Sequence, residues 1–360
     1  MPLSISNSRT RLPRGKWKTV WFLVLIICSG SIFFCEYKIR KNGYIPSITD
    51  SVQLWVNERQ KASRLGSKAL ILVGGSRVQL GIDLKTLDQM TPLTPVQLSI
   101  NANLSYPVFK NLAEDPDITG TLIVALYEGK IQPPKDCLAW KWVNFYQENK
   151  KRHIEPYKRI NTFIRNFLES HLVTKLEGAK PFLVISSLLF KNSRGNYLTT
   201  NRDRSRDADY SKVQMPQFYA NRVYRHLGQN RGALHKRSWE EFFAYHEEII
   251  AQTETQDNTV FLKQSEEMIR LADKIEQRGG KVIFIRFPTS KLPLKYDMKC
   301  HPRDFFWNRF ALKYSKNIHF LDYPSLSNFD LPDGSHLDMK DKKNFTFQLT
   351  SILQKKKWLP

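Results

Sequence analysis

The chain has 360 residues, enough for one large domain or two modest ones, and its 41% apolar and 12% aromatic content excludes global disorder. A formal net charge of +22 points to polyanionic partners: nucleic acid, anionic lipid headgroups or acidic polysaccharide. The sequence holds no P-loop, no dinucleotide fingerprint and no Cys/His grouping with zinc spacing, so neither a cofactor nor a metal is expected.

Residues 1–18 form a basic tail, with Arg9, Arg11, Arg14, Lys16 and Lys18 and no acid. Residues 19–35 then run without a charge. At about 1.5 Å per residue they reach roughly 25 Å, near the lower limit for a spanning helix. A buried core helix of this length would carry a polar face. A cleaved signal peptide would end near Ser29-Gly30-Ser31, yet Ile32-Phe33-Phe34 continue the apolar run. An uncleaved single-pass anchor is therefore expected. Lys38, Arg40 and Lys41 follow it, but the upstream cations outnumber them. The N-terminus is thus expected in the cytoplasm and the bulk of the chain outside it. That placement disfavours nucleic acid and favours membrane headgroups or surface polysaccharide.

Residues 36–67 read as a stalk and lead-in helix, with Val52, Leu54, Trp55 and Val56 as its apolar positions. Residues 69–73 are a continuous apolar run ended by Gly74-Gly75, the pattern of a strand buried on both faces. Ser76 follows at once, at the carboxyl end of a first strand, where α/β sheets place ligands. The glycines permit a sharp turn and a close substrate approach; the alternative is a turn whose serine merely caps the next helix. Further on, a short helix is expected over 84–90 and an apolar stretch over 95–100. A turn at Asn101-Ala102-Asn103 then leads into a helix ending near Asp115. Strands are expected over 120–127, 180–187, 281–287 and 318–321. Helices are expected over most of 140–176 and over 259–278, 303–314 and 339–353, with Gly279-Gly280 as a C-terminal stop. This alternation argues for one α/β domain over 68–355 with a mainly parallel sheet.

Residues 191–238 break the rhythm. Eleven Lys and Arg side chains, among them Arg202, Arg204 and Arg206, face only Asp203, Asp207 and Asp209, with tyrosines interleaved. A long insertion of this kind is functional or flexible, and arginine with tyrosine suits carboxylated sugars. The alternative is a solvated basic surface packed loosely on the sheet edge. Cys28 and Cys35 lie in the apolar span, and Cys137 and Cys300 remain as a pair that could close a disulfide outside the cytoplasm.

Near the C-terminus stands Leu331-Pro332-Asp333-Gly334-Ser335-His336-Leu337-Asp338. A serine nucleophile needs a base, and the base needs an acid to orient it. His336, three residues after Asp333, lets one turn supply both to Ser76. The competing reading is a plain helix-opening turn capped by Ser335 or Asp338.

Gly74-Gly75-Ser76-Arg77 after the first strand and Asp333-Gly-Ser-His336 before the last helix resemble the SGNH/GDSL hydrolase superfamily. The resemblance covers roughly 68–355 and extends to membrane-anchored members linked to surface-polysaccharide acylation. It implies a flavodoxin-like three-layer α/β/α sandwich, Ser76 as nucleophile, and an Asp333–His336 pair completing the triad. It also implies an oxyanion hole with donors after the second and third strands. Here Asn101-Ala-Asn103 carries no glycine, and Tyr127-Glu128-Gly129 stands where Gly-x-Asn is expected. Asn101 or Asn103 would have to donate instead. Arg77 would hold the serine loop through a structural ion pair or meet an anionic substrate. The expected function is acyl-ester chemistry, as an esterase or O-acetyltransferase on an extracytoplasmic glycan, with a membrane-bound acyl-donor partner in the transferase case. The alternative is a non-catalytic glycan-binding or assembly scaffold on a degenerate fold.

Overall fold

Five short segments form one parallel sheet in the computed structural model, which describes residues 15–129, 133–149, 156–175, 195–228 and 238–360. The strands are β1 (Ala69–Val73), β2 (Thr94–Gln97), β3 (Thr121–Ala125), β4 (Leu198–Thr200), β5 (Arg206–Ala208), β6 (Lys281–Arg286) and β7 (Asn317–His319). β4 and β5 pair antiparallel as a separate hairpin, and the others lie in the order β2-β1-β3-β6-β7, every neighbour parallel. Alternate side chains of β1 enter two different apolar clusters, Leu70 and Leu72 on one face and Ala69, Ile71 and Val73 on the other. Burial on both faces explains why these strands read as unbroken apolar runs. From β1 the chain crosses to β2 on one side and to β3 on the other, which opens a crevice at the carboxyl edge.

Among the described residues the α-helices of five residues or more are α1 (Trp17–Lys41), α2 (Val52–Leu65), α3 (Ser76–Gly81), α4 (Leu84–Met90), α5 (Tyr106–Ala113), α6 (Leu138–Asn149), α7 (Pro156–His171), α8 (Met215–His226), α9 (Trp239–Gln252), α10 (Thr259–Glu276), α11 (Lys291–Cys300), α12 (Trp307–Ala311) and α13 (Met339–Lys355). α2, α5, α6, α10 and α12 supply the cluster around Ile71 and Val124, and α3, α4 and α13 the one around Leu72 and Ile285. α1 is long and apolar enough to cross a membrane, with Trp21, Phe22, Ile27 and Phe33 exposed. It extends past the apolar run because Lys38, Arg40 and Lys41 occupy its last turn, where cations suit the helix dipole.

Residues 36–67, expected as a stalk and lead-in helix, hold the helix α2 and make buried contacts with the domain. Trp55 of α2 is fully buried and its indole N–H donates to the Leu98 carbonyl at 3.0 Å. Arg59, also fully buried, pairs with Asp115 at 2.8 Å. At the end of α1, the Glu36 carboxylate accepts from the N–H groups of Val173 (2.6 Å) and Thr174 (3.0 Å), and Arg40 donates to the His171 carbonyl (2.7 Å).

The described part of the insertion is ordered structure. Phe218 of α8 packs edge-on against Tyr197 and Tyr210 at 5.1 and 5.8 Å, and Lys342 of α13 donates to the Arg206 carbonyl and pairs with Asp207. Cys137 and Cys300 are free thiols rather than a disulfide. The strand expected over 180–187 lies outside the described residues, as do residues 1–14 of the tail and 191–194 and 229–237 of the insertion.

Candidate active site

Two glycines set the position of Ser76 by close approach, and what approaches is the chain itself. A Cβ on Gly74 would stand 2.5 Å from Val78 and 2.8 Å from Ala125, and one on Gly75 would stand 2.5 Å from the Asn103 carbonyl oxygen. The loop after β1 can therefore sit down on the β2 loop and turn directly into α3. Ser76 is the first residue of that helix, where backbone N–H groups lack intrahelical acceptors.

The partner turn is shaped by Gly334, whose φ is +80° and whose Cβ would meet Pro293 at 2.7 Å. Oδ1 of Asp333 accepts from the backbone N–H groups of Ser335 (3.0 Å) and His336 (2.8 Å), closing the turn. Its Oδ2 lies 2.8 Å from His336 Nδ1, and His336 Nε2 lies 2.8 Å from Ser76 Oγ. Asp338, not Ser335, caps α13, accepting from the Lys340 N–H at 3.1 Å.

Asp333 is fully buried. Burial alone would raise its pKa, but the charge and hydrogen bond of His336, the charge of Arg222 and the Ser335 N–H outweigh it. The carboxyl is held well below the usual range. As an ionised acceptor it requires the proton on Nδ1, which leaves Nε2 to accept from the Ser76 hydroxyl. That is the arrangement in which an imidazole can take a proton from a serine.

The cleft beside Ser76 is lined by Arg77, Asn103, Tyr127, Arg286 and His336 among others. Behind it lies a buried polar cluster. Arg286 donates to Glu128 (2.6 Å), to Asp297 (2.7 Å) and to the Phe287 carbonyl (2.7 Å). The Tyr127 hydroxyl donates to Asp297 at 2.8 Å, and His226 stands 2.8 Å from the same oxygen. Burial lowers the Arg286 pKa, but Glu128 and Asp297 raise it further, so its charge is secure. Burial works against ionised Asp297 as well, and the hydrogen bond from His226 and the charge of Arg286 overcome it. Glu128 is the exception, pushed up by burial in spite of Arg286.

Ser76, His336 and Asp333 are thus brought together, whereas the other sequence candidates part ways. Asn101 is exposed and stands outside the cleft lining. Asn103 lines the cleft, but its side chain braces the loop, Nδ2 donating to the Asn101 carbonyl (2.8 Å) and Oδ1 accepting from the Ala139 N–H (3.0 Å). Among the described residues Arg77 makes no ion pair, with no carboxylate oxygen within 4.0 Å of it, and its guanidinium lies 4.8 Å from the Tyr127 ring centre. Arg202, Arg204 and Arg206 all lie outside the lining. Arg204 is fully buried, bound to Asp50 (2.7 Å) and to the carbonyls of Gln97 and Ser99, so it cannot meet a polysaccharide. Arg202 is exposed and donates to Ser170 at 3.1 Å, and Arg206 is half-buried in β5.

Three residues of the site had no place in the sequence reading: Arg222, Arg286 and Asp297. Arg286 had a signal, since a cation ending an otherwise apolar strand requires a buried partner. Arg222 had none, being one arginine in a stretch full of them. No protein-family model matches the chain, and no curated protein matches it.

Proposed function

We propose that the chain is a serine-dependent acyl-ester enzyme, an esterase or O-acetyltransferase, on a flavodoxin-like three-layer fold of the SGNH type. The observation that carries the reading is the pair of 2.8 Å contacts, Ser76 Oγ to His336 Nε2 and His336 Nδ1 to Asp333. Ser76 Oγ attacks the acyl carbonyl while Nε2 takes its proton, and Asp333 stabilises the imidazolium that results. The backbone N–H of Ser76 is the first donor for the developing oxyanion. His336 then returns the proton to the leaving alcohol, and water or a glycan hydroxyl, deprotonated by the same nitrogen, releases the acyl group. With α1 in a membrane and the basic tail cytoplasmic, the acceptor is an extracytoplasmic glycan, and a membrane-bound partner is the natural acyl donor.

The test is labelling of the full chain in detergent with a fluorophosphonate, followed by peptide mass spectrometry. An adduct on Ser76 is expected, absent from Ser76→Ala. A folded parent that stays unlabelled overturns the enzyme reading.

A second reading, a non-catalytic glycan-binding or assembly scaffold, draws on one feature. The loop positions expected to supply further oxyanion donors hold Asn103, already engaged at both ends of its amide, and Tyr127, engaged with Asp297. It predicts glycan retention without any adduct.

A further inference from the structure

Two arginines lie against the Tyr127 ring, each with its guanidinium carbon 4.8 Å from the ring centre, and they are not equivalent. Arg286 takes both nearby acids, Glu128 and Asp297. Asp297 is further engaged by Tyr127, His226 and Thr289. Among the described residues Arg77 touches the ring but no carboxylate within 4.0 Å, and it feels Asp297 and Glu128 only at longer range. It is half-buried, lines the cleft and is the residue next to Ser76 in the chain. Burial and the like charge of Arg286 act against its cation and lower its pKa, with Asp297 and Glu128 offsetting only part of this, yet a guanidinium does not give up its proton in proteins.

A desolvated cation without a counterion in contact is costly to keep. The cost falls when a ligand supplies the anion, and a planar guanidinium steadied on a ring is well made to receive carboxylate or phosphate oxygens. We infer that the cleft binds an ester that carries an oxyanion, a carboxylate or a phosphate, paired to Arg77 while its acyl carbonyl faces Ser76. This inference rests on the reading of Ser76 as the reacting group. It makes Arg77 the residue that sets substrate charge.

Three aryl acetates with a common acetyl group test it on the full chain in detergent: 4-acetoxybenzoate, 4-acetoxyphenyl phosphate and the neutral methyl 4-acetoxybenzoate. The parent should prefer at least one anion over the neutral ester by about 10- to 100-fold in kcat/KM, the range of a charge-assisted contact. Which anion is preferred distinguishes carboxylate from phosphate. Arg77→Gln should collapse that ratio, and Arg77→Lys should keep part of it. Turnover of all three esters by the parent without preference overturns the inference and leaves the enzyme reading intact, even if every Arg77 variant fails to fold. Calorimetric binding of benzoate and phenyl phosphate covers the reverse case. Arg77-dependent binding without Ser76 labelling overturns the enzyme reading and keeps the anion cleft; absence of both preference and binding overturns the inference.

Discussion

Arg222 Nε lies 2.9 Å from Oδ2 of Asp333, the same oxygen that orients His336. The basic insertion therefore touches the triad, and one of its cations helps keep the buried aspartate ionised. Arg222→Ala should slow fluorophosphonate labelling of Ser76 by about three- to tenfold, the scale of one close ion pair that lacks hydrogen-bond geometry. Arg222→Lys should recover part of the loss. A rate unchanged in a folded Arg222→Ala would show that the insertion only neighbours the site.

Ser76, His336 and Asp333 should behave as a unit. With an activated acetyl ester, Ser76→Ala and His336→Ala should each remove nearly all turnover, and the double variant little more. Asp333→Asn should cost on the order of 10³–10⁴-fold, because an amide favours the wrong tautomer of His336. Ser76→Ala should melt within about 1 kcal/mol of the parent. Additive losses across the double variant would contradict a shared proton path.

Gly75→Ala is a test of the loop rather than of the chemistry. Its methyl would stand 2.5 Å from the Asn103 carbonyl oxygen, so backbone must move. A loss of about 1–3 kcal/mol in urea unfolding is expected, with Ser76 labelling impaired beyond what the lost stability explains. Parent-like stability would mean that the two loops are free to separate.

Arg202 and Arg204, two positions apart, should respond in opposite ways. Arg204→Ala removes the ion-pair partner of Asp50 and a donor to the Gln97 and Ser99 carbonyls, leaving Gln79 as the remaining donor to Asp50 and Ser99, and should destabilise the fold by about 3 kcal/mol. Arg202→Ala, at an exposed side chain, should stay within about 0.5 kcal/mol. Salt-sensitive retention on an anionic polysaccharide should fall in the Arg202 variant if the insertion surface binds glycan.

Stability should decline in mild acid because of His319. Burial, with the charges of Arg286 and Arg303, lowers its pKa from 6.5 to about 2, and its Nδ1 accepts from the Leu321 N–H. The unfolded chain binds the proton and the folded chain refuses it. Stability is thus full above pH 6.5 and falls as pH drops toward 2, by about 1.4 kcal/mol per unit. His301, also lowered by burial, acts in the same direction. Urea midpoints between pH 7.5 and 4.5 should show the decline, and His319→Gln should flatten much of it.

The centre of the sheet was readable because β1, β3 and β6 are short apolar runs with glycine or proline near their ends, and the strands match those runs closely. Ser76 and the Asp333–His336 turn were readable because their spacing is local and the fold class places their ends of the chain on one edge. The insertion was not. Arg202 and Arg204 look alike in the sequence, and only the bend that gives Arg204 a φ of +63° turns one inward. The link of Arg222 to Asp333 depends on how α8 docks, which no local pattern encodes. α9 did carry a signal, the capping box of Ser238 and Glu241, masked by the basic run before it.

The Glu36 contacts with Val173 and Thr174 change what the N-terminal helix is mechanically. A flexible tether would let the cleft search a hemisphere of space. With α1 spanning a bilayer, as proposed, a helix bracketed to the domain in this way would give the cleft a set altitude and heading above it. Lateral diffusion would then be its main freedom, and the substrates it met would be those presented at that height.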